Sequence, residues 1–165
     1  HTHDCRPVLA ELARDHFGLD LDHPRLQLHF ADLTAADWQM PEETASADLM
    51  LLDLFDEQGM TPLPDTTLER MSEHLAQDGL LCVNVWRNAM RDTTRLHKQL
   101  IQHFHRHALV MHVPHRMNTV MFYRRAPWRR EDLQAAQTRL KHMHPDIRHA
   151  VAEAWTWMAP LPPSA

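Results

Sequence analysis

Two carboxylates three residues apart, Asp53 and Asp56, close a long apolar run in the chain, 47–55 (ADLMLLDLF). A run of that kind suits a strand buried on both faces of a parallel sheet. In open α/β sheets the carboxyl ends of the strands form the ligand crevice. Carboxylates there can take a proton or hold a cation, so this pair is expected to act on a ligand rather than decorate a surface. Asp56 also suits a solvated loop acid.

Other chemistries are less well served. The chain has 15 histidines. His103, His105 and His107 recur at every second position, as do His142 and His144. On a strand that spacing would present one face to zinc. His103 and His105 fall at the end of a helical pattern, however, and no Cys-x-x-Cys partner exists, so no metal is expected. The sequence has no Gly-x-Ser-x-Gly, so a nucleophilic hydrolase is not expected. Met50, Met111 and Met121 read as core fillers. Trp155 and Trp157 read as packing anchors, or as an interface in an otherwise proline-rich tail.

The elements that must carry the acids follow from periodicity. Val8, Leu9, Leu12, Ala13 and Phe17 recur at helical spacing, with Pro7 in the first turn and Gly18 as a stop. Leu26, Leu28 and Phe30 alternate as a half-buried strand over 26–31 ending at Asp32. Residues 33–46 read as loop or a short helical turn, and 48–55 as a buried strand. Thr66 or Thr67 can cap a helix with Leu68, Met71 and Leu75 inward. An Asp78-Gly79 turn leads to an apolar strand, 79–86. A helix over about 90–104 follows. Strands 107–113 and 118–125 are too closely joined for a crossover, so they pair antiparallel at the sheet edge. Helices 129–143 and 146–158, separated by Pro145, form a C-terminal extension before the PLPPSA tail. The fold class is α/β, a mostly parallel sheet with an antiparallel C-terminal hairpin.

The bulk numbers set the class. The 165 residues fit one domain with a core, and 44% are hydrophobic, which makes the chain globular. A net charge of −5 argues against nucleic-acid binding; Arg124, Arg125, Arg129 and Arg130 read as a solvated helix start. Cys5 and Cys82 suggest reduced thiols and a cytoplasmic protein. No membrane span or signal peptide is visible. The chain opens on His1, at what reads as the end of a strand, and is expected to be a fragment of a longer protein or to lack its earlier residues.

In order and spacing, these residues resemble the spermidine synthases, the polyamine aminopropyltransferases built on the Rossmann-like fold of class I methyltransferases. HDCRPVLAELARDHFGLDLDHPRLQLHFAD is similar to the segment after the glycine-rich loop of that family. Asp4 falls on its first acid, Pro7 on its proline and Asp32 on the acid after its third strand. DLMLLDLFD resembles the buried strand that ends in two acids, and its Asp53-Leu54-Phe55-Asp56 also resembles the Asp-x-Phe-Asp start in spermidine-synthase-like proteins of unknown substrate. DGLLCVNVW resembles the next strand, and the Met-Asn-Thr-Val-Met-Phe stretch at 117–122 resembles the closing hairpin. The match covers roughly residues 4–125.

The resemblance implies roles. Asp4 would accept from the ribose hydroxyls of an S-adenosyl nucleotide, and Asp32 from the adenine amino group. Asp53 would be the general base at an attacking amine, and Asp56 would hold the ammonium of a polyamine. The cosubstrate would be decarboxylated S-adenosylmethionine, or S-adenosylmethionine itself. The acceptor would be a diamine such as putrescine, and the assembly a possible homodimer. From the residues alone, Asp4 also suits a helix N-cap and Asp32 a cap for the turn over 33–37. The family's Gly-x-Gly-Gly-Gly loop and first strand have no counterpart here: the three glycines are Gly18, Gly59 and Gly79. The rival expectations are a small-molecule methyltransferase of the same fold and a non-catalytic binding or oligomerisation module.

Overall fold

The computed structural model describes residues 1–42, 46–56, 59–86, 93–105, 108–113 and 115–160. The Asp56 side chain, His107, the expected helix start at 90–92 and the tail over 161–165 lie outside the described residues.

The chain opens on β1 (Thr2–Asp4) and α1 (Pro7–Phe17). Gly18 ends α1 in the left-handed region at φ 69°, where a side chain would be strained. There its N–H donates to Arg14 O at 3.2 Å, and the Leu19 N–H donates to Ala13 O at 3.1 Å. β2 (Leu28–Phe30) pairs parallel with β1, Asp4 opposite Phe30. Only three residues of the strand expected over 26–31 pair, because β1 is itself three residues long. The loop after β2 folds back over α2 (Asp65–His74): Thr67 Oγ1 donates to Leu33 O at 3.1 Å, and Arg70 Nη1 donates to Trp38 O.

β3 (Ala47–Leu52) stops short of the expected 48–55. Asp53 and Leu54 leave the strand, and β4 (Phe55–Asp56) turns back antiparallel onto β5 (Gly59–Met60). The Thr61 N–H closes this hairpin on Leu54 O at 3.1 Å. Pro64, not a threonine, caps α2, and no side chain caps it. Thr67 is buried instead. The Asp78-Gly79 turn between helix and strand is also corrected. α2 runs straight into β6 (Leu75–Trp86), and Asp78 and Gly79 lie within that strand at an irregularity of the β3–β6 register. A Cβ on Gly79 would meet Ala47 O at 2.8 Å and the Leu75 side chain at 2.9 Å, so the close approach of the two strands requires glycine here.

After α3 (Thr93–His103), β7 (Leu109–His112) and β8 (Asn118–Tyr123) form the expected antiparallel hairpin. The hairpin is not the sheet edge. The chain continues through α4 (Arg130–Leu140) and α5 (Pro145–Thr156), and β9 (Met158–Pro160) adds antiparallel to β7. The five-stranded order is β3-β6-β8-β7-β9, while β1-β2 stand as a separate parallel pair. β3 and β6 are parallel; β6–β8, β8–β7 and β7–β9 are antiparallel.

One face of the main sheet is closed. Leu81, Val83, Val85, Met121 and Tyr123 pack with Leu68 and Met71 of α2 and Leu96 and Leu100 of α3 in one core. The opposite face is half-open, and β3 is not buried on both faces as its composition suggests. Leu51 is 73% exposed and Leu49 54%, because among the described residues β3 pairs only with β6 and no helix covers its outer side. α1 buries no residue either, and Phe17 is 85% exposed.

The basic cluster is also reassigned. Arg124 is 7% exposed and donates to Asp78 and Asp132, and Arg125 Nη1 donates to Leu75 O at 3.1 Å. These two arginines tie the end of β8 to β6 and α4; only Arg129 and Arg130 stand at a helix start.

Candidate functional site

Asp53 lies immediately after the carboxyl end of β3, exposed. Its Oδ1 accepts from Asn84 Nδ2 at 3.0 Å, and Asn84 Oδ1 accepts from Asn118 Nδ2 at 3.1 Å. The three side chains make a ladder across β3, β6 and β8. Strand alternation explains it: Val83 and Val85 point into the core, so Asn84 and Trp86 point to the half-open face. Asn118 sits opposite Trp86 and shares that face. The β4–β5 hairpin brings Phe55 edge-on to Trp86, with ring centroids 6.4 Å apart at 74°. A carboxylate with a fixed partner therefore stands at the same strand ends as an open aromatic pair.

The other acids sit at the carboxyl ends of the separate parallel pair. Asp4 ends β1, and it is not a helix cap: Arg6 occupies that position in α1. Asp4 Oδ1 accepts from the Arg6 backbone N–H at 2.8 Å and from Arg6 Nε at 3.1 Å, and Oδ2 accepts from Arg6 Nη2 at 3.2 Å. The Arg6 side-chain bonds hold its carboxyl below the usual range. Asp32 Oδ1 accepts from Thr34 Oγ1 at 2.6 Å and from the Thr34 N–H at 2.8 Å. Those bonds lower its pKa and make it the turn cap that its position allows. Among the described residues no hydrogen bond or ion pair joins Asp53 to Asp4 or Asp32. The backbone of Asp56 lies in β4, one residue beyond Phe55.

Sequence reading missed Asn84, Asn118, Phe55 and Trp86. A signal was present for Asn84: it is the one polar side chain in the stretch LLCVNVW, a strand read as continuously apolar.

Several other titratable groups lie in packed surroundings. His97 Nδ1 meets Tyr123 Oη at 2.8 Å in the core. Burial lowers the His97 pKa and raises that of Tyr123. Cys82 is half-buried, and burial pushes its thiol up to about 11, away from reactivity at neutral pH. His3 stacks on His29, its partner across β1–β2, at 4.7 Å, and burial first, then His29, lowers its pKa. Among the described residues no group of three or more His, Cys, Asp and Glu side chains could hold a metal ion. Among them, too, no helix is long and apolar enough to cross a membrane.

Comparison with protein-family models and with curated proteins finds no match. Two solved structures are similar. Human methyltransferase-like protein 13 in complex with SAH has a TM-score of 0.61 at 18% identity over 81% of this chain and 65% of that one. A probable spermidine synthase from Corynebacterium glutamicum has a TM-score of 0.53 at 19% identity over 77% of this chain and 47% of that one. The chain thus spans less than two thirds of either neighbour. The fold is α/β, of the Rossmann-like methyltransferase type.

Proposed function

We propose that the protein is an S-adenosyl-dependent transferase acting on a cationic amine. The reaction is aminopropyl transfer from decarboxylated S-adenosylmethionine to a diamine such as putrescine. The observation that carries this reading is Asp53, held by Asn84 at the carboxyl end of β3 beside the exposed Phe55–Trp86 pair. A carboxylate attracts and orients an ammonium, and aromatic faces favour the same cation. Asp53 then accepts the proton that the amine loses as its nitrogen attacks the carbon next to the sulfonium. The carbon–sulfur bond breaks, and neutral methylthioadenosine leaves. Asp56, next along the hairpin, is the group assigned to the distal ammonium.

The nucleoside falls to Asp4 and Asp32. A carboxylate at a strand end can accept from both hydroxyls of a ribose. Arg6 now occupies most of Asp4's acceptor sites. Its side chain is 64% exposed, so it can swing away at low cost while its backbone N–H stays bound. Asp32 Oδ1 is taken by Thr34, leaving Oδ2 for the adenine amino group.

A second reading, methyl transfer to a small molecule, is favoured by the similarity to the methyltransferase that carries SAH. The test is calorimetric titration of methylthioadenosine and of S-adenosylhomocysteine, followed by turnover with putrescine. Methylthioadenosine binding, with Asp53→Asn keeping that binding and losing turnover, supports aminopropyl transfer. Preference for S-adenosylhomocysteine with no putrescine product supports methyl transfer. Binding of neither nucleoside leaves a non-catalytic module.

A further inference from the structure

We infer that Asn84 and Asn118 are positioning residues that orient Asp53 toward a cationic ligand. The inference rests on the amine-facing role proposed for Asp53. Its physical basis is the polarity of the ladder. An ionised carboxylate only accepts hydrogen bonds. Asn84 must therefore turn its NH2 toward Asp53, which leaves its Oδ1 facing β8. That oxygen in turn requires a donor, and Asn118 supplies its own NH2 at 3.1 Å. One charge thus sets the direction of two carboxamides in sequence, and each removes a rotational freedom of the next.

Two of the three side chains come from strands. Asn84 lies within β6 and Asn118 begins β8; only Asp53 stands outside a strand, one residue beyond β3. A carboxylate in a loop would sample several rotamers. Anchored through Oδ1, it keeps Oδ2, which accepts no hydrogen bond from any described residue, near the strand ends where Trp86 and Phe55 meet. Both asparagines are half-buried, so their amides need partners, and neither belongs to the hydrophobic core cluster.

The relay has a signature that simple packing lacks. Asn118 acts only through Asn84, so the two substitutions must not add. Asn84→Leu is expected to lower kcat with putrescine by about 10- to 100-fold, the cost of a misplaced reacting group, with the KM for decarboxylated S-adenosylmethionine unchanged. Asn118→Leu is expected to give a smaller loss in the same parameter, and Asn118→Gln, which keeps a donor, to restore part of it. The double variant should match Asn84→Leu alone.

Side-chain amide spectra of 15N-labelled protein read the ladder without turnover. The Asn84 NH2 signals should shift in Asp53→Ala and in Asn118→Leu while the melting temperature holds. Additive kcat losses, or Asn84 signals indifferent to Asn118→Leu, overturn the inference even if putrescine is a substrate. If the spectra show the ladder but the wild-type protein turns over no amine, the catalytic role of Asp53 fails, and the positioning inference fails with it.

Discussion

Arg124 Nη2 donates to Asp78 Oδ1 at 3.0 Å across 46 residues of chain, while Nη1 of the same guanidinium donates to Asp132 Oδ2 at 2.9 Å. The guanidinium also lies over Trp128, 5.1 Å from the ring centroid. One buried arginine thus joins the irregular start of β6, the end of β8 and the first turn of α4. Arg124→Ala removes charged hydrogen bonds worth roughly 2 kcal/mol together. The expected fall in melting temperature is about 4–8 °C, read by calorimetry. Asp78→Asn should cost less, since Asp78 is 75% exposed and water replaces its partner.

The same stretch of β6 supplies a second prediction. Gly79→Ala places a methyl 2.8 Å from Ala47 O, a backbone atom that cannot move without shifting β3. Overpacking of this kind costs about 1–3 kcal/mol. Its effect should appear in urea unfolding as a lower midpoint, and the β3–β6 amides should lose hydrogen-exchange protection. Full stability in Gly79→Ala would mean that the register shift is not imposed by close approach.

Stability should also fall with acid in a defined window. Burial lowers the His97 pKa below its ordinary 6.5, so the folded state favours the neutral ring and the unfolded chain binds the proton more readily. His97 therefore contributes stability that is fully present above pH 6.5 and declines as pH falls from there toward the lowered folded value. His3, shifted in the same direction, adds to this loss. Chemical unfolding at pH 7 and pH 5 should show a drop that His97→Gln partly removes, because glutamine can still bond Tyr123 but does not titrate.

Arg6 supplies a test of the nucleoside site. Its side chain spans both oxygens of Asp4. If Asp4 receives a ribose, Arg6→Ala should tighten methylthioadenosine binding a few-fold and leave Asp32→Ala as damaging as before. Weaker binding in Arg6→Ala would show that the arginine belongs to the site as a ligand group rather than a competitor.

Much of this molecule was legible one element at a time. Pro7 and Gly18 bounded α1 because both act through their own backbone dihedrals. The short joint between 107–113 and 118–125 marked the antiparallel hairpin of β7 and β8, since too few residues lie between them for a crossover. The apolar run marked β3 in the same local way, although the strand ends at Leu52 and leaves Asp53 one residue beyond it.

What required the tertiary structure were the relations between elements. The run over 47–52 looks buried on both faces, yet Leu49 and Leu51 are exposed, because burial depends on which strand or helix covers a face. Asp78-Gly79 reads as a turn, yet lies inside β6, because the register with β3 lets the strand continue through it. Arg124 reads as a surface charge until two carboxylates from distant segments surround it. Asn84 and Asn118 are 34 residues apart and meet only because β6 and β8 pair antiparallel at Trp86–Asn118. Residue type and spacing set where an acid can sit; hydrogen bonds between segments far apart in sequence decide which way it faces.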